Sequence, residues 1–84
     1  MKQKMRVQEI AKILNKAGLK KAVYKKVGLK TVSVGDYEAR EFKSLGINCY
    51  FLPKNGVKVD TIIEILSASG LNVVEKNGYA AVLD

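Results

Sequence analysis

Residues 72–83 read NVVEKNGYAAVL, in which two short runs of strand-forming residues flank Asn77-Gly78. An Asn-Gly pair between two such runs is the strongest short-range signal for a β-hairpin, because both residues tolerate the positive φ of a tight turn. The stretch therefore predicts two antiparallel strands, residues 72–76 and 79–83.

Two stretches, residues 5–17 and 61–69, carry apolar side chains at the three-to-four-residue spacing of an α-helix. Each is followed by a glycine and a leucine, a common way for a helix to end. Thr61 and Glu64 have the spacing of a capping box at the start of the second helix, and Asp60 is the alternative cap. The pattern predicts two amphipathic helices.

Between the helices, residues 20–27, 29–34 and 47–52 are rich in β-branched or aromatic residues and are bounded by glycine or proline. The first of these segments fits a loop as well as a strand. Residues 36–46 fit either a helix or a strand on their own pattern. This part of the chain therefore predicts strands, but the pattern alone does not determine how many there are or where each begins and ends.

Together these elements predict an α+β fold. We expect two helices packed on one face of a small antiparallel sheet, in the approximate order α-β-β-β-α-β-β. A chain of 84 residues suffices for one domain and not for two, so residues 1–84 are expected to form a single small basic domain.

The charge of the chain is concentrated in its first third. Residues 1–30 hold ten Lys/Arg against Glu9 alone, a net charge of +9, whereas residues 31–84 hold five against seven acidic residues, a net charge of −2. Such asymmetry indicates a polyanionic partner, either nucleic acid or an acidic protein surface.

Nucleic-acid binding is the leading functional hypothesis from the residues themselves. Clustered lysines neutralise phosphates, and a tyrosine between two lysine pairs is placed to stack on a base. The competing interpretation is a solvated lysine-rich face with that tyrosine in the core. The candidate residues are Lys12, Lys16, Lys20, Lys21, Tyr24, Lys25, Lys26 and Lys30.

The sequence lacks the residue types of common catalytic and metal sites. It has no histidine and one cysteine, Cys49, so neither a Cys–His pair nor a zinc site is expected. We expect no catalytic residues, no metal and no cofactor, and therefore a protein that is not an enzyme. With no signal peptide, no membrane-spanning run and no disulfide, we expect a cytoplasmic location and no membrane partner.

The layout also resembles small uncharacterised proteins of phages and prophages. The resemblance implies a hairpin of residues 37–43 and 47–52, and we adopt these strands over the helix. It implies no active site. It does imply a binding function, in which the protein binds nucleic acid or blocks a host protein such as a defence nuclease. The stretches that carry it are residues 15–18 with Tyr24, 35–38, 50–53 and 68–73.

The resemblance supports a second hypothesis, a protein-binding inhibitor or adaptor whose lysines serve mainly solubility. Its candidate contact aromatics are Tyr37, Phe42, Tyr50 and Phe51, provided that they are exposed in one patch. A third possibility is a homo-oligomer formed through residues 79–83, if this apolar strand lies at a sheet edge.

Overall fold

The computed structural model describes residues 6–44 and 46–83, with the backbone alone for residues 42–44. In these residues the chain forms two helices and six strands in two antiparallel sheets, in the order α-β-β-β-β-α-β-β. The fold is therefore α+β, as the sequence predicts. The elements are α1 (Val7–Lys16), β1 (Val23–Val27), β2 (Lys30–Val34), β3 (Tyr37–Ser44), β4 (Ile47–Pro53), α2 (Val59–Ala68), β5 (Val73–Lys76) and β6 (Tyr79–Leu83).

Both helices end as the sequence predicts. The Leu19 amide donates to the Leu14 carbonyl at 3.0 Å, and the Leu71 amide donates to the Leu66 carbonyl at 3.3 Å. These bonds close the last turn of each helix and satisfy carbonyls that would otherwise lack a partner. The first helix begins later than predicted, at Val7, because Arg6 has the extended backbone of an N-cap; residue 5 lies outside the described residues.

The predicted cap of the second helix is wrong. α2 begins at Val59, and its N-cap is Lys58, which makes no side-chain capping hydrogen bond. The Thr61 amide donates to the Lys58 carbonyl at 3.1 Å, so Thr61 already lies inside the first turn. The earlier start lets Val59 pack against the core, and this burial outweighs the missing cap.

Four strands form the larger sheet in the order β3-β4-β6-β5. Along β4, buried Ile47, Cys49 and Phe51 alternate with partly exposed residues. Cys49 and Phe51 pack with the apolar faces of both helices into one core cluster. Both helices therefore cover the same face of this sheet, as predicted, and we call the opposite side the open face.

The Asn77-Gly78 turn forms the predicted hairpin, in which Lys76 lies opposite Tyr79. However, β6 pairs with β4 as well as with β5, so it lies inside the sheet. The backbone groups of β6 are thus already paired on both sides. β6 is therefore not the edge strand through which the homo-oligomer was predicted to form.

Two of the predicted contact aromatics lie in the core instead. Tyr37 and Phe51 are fully buried, and their rings pack edge to face with centroids 5.7 Å apart. The Tyr37 hydroxyl donates to Asn15 Oδ1 at 2.7 Å, with the Ala11 carbonyl 3.3 Å away. Neither ring is available to a partner, because the apolar surface of each is already used against α1 and the sheet. The side chain of Phe42 lies outside the described part of the chain.

β1 and β2 form a second sheet of their own, which corrects the prediction of one sheet and of three strands before α2. The segment of residues 20–27, which fitted a loop equally well, holds β1. No residue of either strand is buried, so this hairpin contributes little to the core. We call residues 23–34 the arm and the remaining elements the body.

The arm lengthens the molecule. The radius of gyration is 13.3 Å, whereas a compact chain of this length has about 12 Å. The principal extents of 49 × 24 × 23 Å agree with a globular body and a projecting ribbon. Neither helix of the described residues is long and apolar enough to cross a membrane.

Candidate functional site

The arm carries a large share of the basic residues predicted to bind nucleic acid. Its strands pair Val27 with Lys30 across a two-residue turn whose first residue, Gly28, has φ +65°, as a type II′ turn requires. Lys25 and Lys30 share one face of the ribbon and Lys26 lies on the other, so cationic groups reach both sides. No acidic residue occurs between positions 20 and 35.

The other predicted lysines extend this charge toward the body. Lys20 and Lys21 are exposed at the base of the arm, and Lys12 and Lys16 are exposed one turn apart on α1. A depression of about 300 Å³ along α1 is lined by residues of that helix, among them Ile13. In the part of the chain that the structure describes, this lining comes from one helix, which by itself does not supply the opposing walls of a small-molecule pocket. The structure thus distributes the eight candidates over α1, a connector and the arm.

The structure excludes the alternative in which Tyr24 belongs to the core. Its side chain is 59% exposed, and its hydroxyl donates to Glu38 Oε2 at 2.6 Å. This hydrogen bond raises the pKa of Tyr24 and is the main reason that the pKa of Glu38 is lowered. The tyrosine ring is therefore held at the surface by its polar end.

Glu38 connects the arm to two cations of the body. Arg40 Nε donates to Glu38 Oε1 at 2.7 Å, and Lys54 Nζ lies 3.7 Å from Glu38 Oε2. The carboxylate is only 13% exposed, so these charge-assisted contacts are less screened than those of a surface pair. The anionic charge of Glu38 is neutralised locally and does not oppose an anionic ligand on the arm.

The base of the arm is hydrogen-bonded to the body. The Lys20 amide donates to Asp36 Oδ2 at 2.8 Å, and the Ala22 amide donates to the Tyr37 carbonyl at 2.6 Å. From the turn before α2, Asn55 Nδ2 donates to the Gly35 carbonyl at 2.6 Å. A two-stranded ribbon alone is marginally stable in water, so these bonds help to order the arm.

Gly35 lies where the two ends of the arm meet. Its φ is +135°, and a Cβ there would lie 2.5 Å from Ala22 Cα and 2.7 Å from the Lys21 carbonyl oxygen. We expect Gly35→Ala to reduce the free energy of unfolding by about 2–5 kcal/mol, because backbone strain and overpacking add. Urea denaturation measures this change.

Gly28→Ala is the matched control, since Gly28 also has positive φ but nothing lies within 4 Å of its added Cβ. Its cost should stay near the strain alone, about 1–2 kcal/mol. Equal effects of the two substitutions would contradict the steric argument for Gly35.

Most residues of the open face were not among the site residues predicted from the sequence. Arg40 lies opposite Tyr50 in the β3–β4 pair, and the ring of Tyr50 packs on that of Tyr79 with centroids 4.6 Å apart. Ala81, opposite Tyr50, is fully buried beneath this surface. Of the predicted contact aromatics, Tyr50 alone has a described, partly exposed side chain.

Among the described residues, no group of three or more His, Cys, Asp or Glu is placed to hold a metal ion. Comparisons of the chain with protein-family models, with curated proteins and with solved structures found no match.

Proposed function

We propose that this protein binds nucleic acid through its basic N-terminal third, with the arm as the principal element. The observation that carries the proposal is a two-stranded ribbon in which no strand residue is fully buried and which presents lysines on both faces. Each lysine that meets a phosphate releases a counterion, which gives affinity without reading the base sequence.

The proposed binding is non-enzymatic. The arm offers ammonium groups and backbone, and its one tyrosine is bonded to a carboxylate through its hydroxyl. Lysine contacts position a nucleic-acid backbone, whereas the bidentate pairing that reads a guanine edge is chiefly the work of arginine. Sequence-tolerant binding therefore fits this surface best.

A titration with labelled duplex and single-stranded DNA and RNA at two salt concentrations tests the proposal. We expect affinity to fall as salt rises, and Lys25→Gln/Lys26→Gln to reduce the slope of log affinity against log salt by about two. The control Lys58→Gln removes a charge from an exposed position at the start of α2, outside the first 30 residues, and should change the slope much less than the loss of one arm lysine does.

Absence of binding at low ionic strength would overturn the proposal. An equal change of slope for each charge removed, whether from the arm or from Lys58, would instead show that net charge, and not the arm, governs the affinity.

A specific feature of the arm favours a second candidate function, the protein-binding inhibitor or adaptor. One face of the ribbon carries a stripe of valines, and the fully exposed Leu29 lies at its tip. Exposed apolar stripes of this kind are typical of surfaces that bind another protein. In the proposed complex, this face meets an apolar groove with an acidic rim, as on a host protein targeted by a phage product. The stripe consists of Val23, Val27, Val32 and Val34.

A further inference from the structure

Three of the four tyrosines of this chain belong to one surface. Tyr50 and Tyr79 lie on the open face, because the strand residues next to them point into the core. Tyr24 reaches the edge of the same face from the arm, since its hydroxyl binds Glu38. The fourth tyrosine, Tyr37, is in the core.

The surface between these rings holds two cationic side chains around one carboxylate. Glu38 and Arg40 lie on the open face of β3, because the intervening Ala39 packs against the core. Arg40, 55% exposed, has its pKa raised chiefly by the hydrogen bond to Glu38, with smaller contributions from Tyr50 and Tyr24. Arg40 lies opposite Tyr50 in the β3–β4 pair, and its guanidinium shares the Glu38 carboxylate with the Tyr24 hydroxyl.

We propose that a single-stranded nucleic acid lies across this surface, with its bases stacked on Tyr24, Tyr50 and Tyr79 and its phosphates near Arg40 and the arm lysines. The inference rests on the proposed function and names its substrate class. It uses a face of the sheet that neither helix covers.

An unpaired strand fits this surface better than a duplex does. Stacking on a tyrosine requires the flat side of a base, which is occupied by neighbouring bases in a duplex and is free in a single strand. The Tyr24 ring is restrained through its hydroxyl, so less side-chain entropy is lost when a base stacks on it. A groove-reading surface would instead need side chains aimed at base edges.

The decisive experiment compares two probes on the same variants. Fluorescein-labelled oligothymidylate of about twelve nucleotides, within the usual site sizes of single-strand binders, is titrated beside a duplex of the same length. We expect Tyr79→Leu and Tyr24→Leu each to weaken oligothymidylate binding by about five- to a hundredfold. Duplex affinity, which depends on the arm lysines, should change less than about twofold in both variants.

Tyr79→Phe is the matched control, because it keeps the ring and should keep the affinity. Tyr24→Leu tests whether weaker binding results from misfolding. Tyr24 is largely exposed and outside the core, so its replacement should leave the fold intact. The chain has no tryptophan, so quenching of tyrosine emission by oligothymidylate reports stacking directly, and Tyr79→Leu should diminish it.

The outcomes separate this inference from the proposed function. If Tyr79→Leu and Tyr24→Leu leave oligothymidylate binding unchanged, or weaken both probes equally, the stacking surface is refuted while binding through the arm stands. If the unsubstituted protein binds neither probe at low salt, the proposed function fails and the inference fails with it.

Discussion

Excision of the arm, with an Asn-Gly turn joining Ala22 to Gly35 in place of residues 23–34, is expected to leave the body folded and to remove most of the nucleic-acid affinity. The two ends are adjacent, because Val23 lies opposite Val34 at the base of the ribbon. An Asn-Gly pair closes a two-residue hairpin turn well.

The body should tolerate this excision because none of the removed side chains is classed as buried. The side-chain bonds lost are those of the Tyr24 hydroxyl to Glu38 and of the Asn55 amide to Ser33. Each is worth about 1 kcal/mol, so we expect the free energy of unfolding to fall by no more than about 2 kcal/mol. Urea denaturation followed by circular dichroism measures this change.

The binding titration should respond far more strongly than the stability. Loss of three arm lysines is expected to lower the slope of log affinity against log salt by about three. The control Lys25→Gln/Lys26→Gln/Lys30→Gln keeps the ribbon and removes only its charge, so it should reproduce most of the loss. An excised protein that binds as tightly as the intact chain would contradict the role of the arm.

The largest expected effect on stability comes from Tyr37→Ala. This side chain is fully buried, and it contacts both Phe51 and α1. Removing a buried aromatic ring costs about 3–5 kcal/mol, and a domain of this length has only about 4–13 kcal/mol of stability in total. We expect a variant that is largely or partly unfolded at room temperature.

Two further substitutions show whether the loss of stability in Tyr37→Ala comes from the buried ring. Tyr37→Phe keeps the ring and should cost about 1 kcal/mol, the value of one hydrogen bond. Tyr24→Ala makes the same truncation at an exposed site and should change the unfolding free energy by about 1 kcal/mol or less. A Tyr37→Ala variant as stable as Tyr24→Ala would mean that Tyr37 lies at the surface, as the sequence hypothesis of a contact aromatic required.

The features predicted well from sequence depend on neighbouring residues. The Asn77-Gly78 turn dictates the register of β5 and β6 through its own backbone geometry. The glycine and leucine after each helix close the last turn wherever the helix packs. The residue pattern of positions 36–46 fits a helix as well as a strand. Pairing with β4 makes this segment a strand.

The features predicted poorly depend on residues distant in the sequence. Alternation along a strand shows which side chains share a face, and it places Tyr79 and Tyr50 apart from Phe51. It does not show which face the helices will cover, so Phe51 was expected as a contact residue and Tyr79 was missed. The contacts of Glu38 and Asn55 with the arm region carry no local signal, because the partners there are 14 and 20 or more residues away.

The sequence by itself determined the local turns, the helix ends and the concentration of charge in residues 1–30, since each follows from a few consecutive residues. The tertiary structure alone decided that residues 23–34 project as an arm and that β6 lies inside the sheet. It also decided which tyrosines remain at the surface. The physical reason is burial. Both helices pack on the same face of the sheet, so the face that they leave uncovered remains exposed and is able to bind a partner.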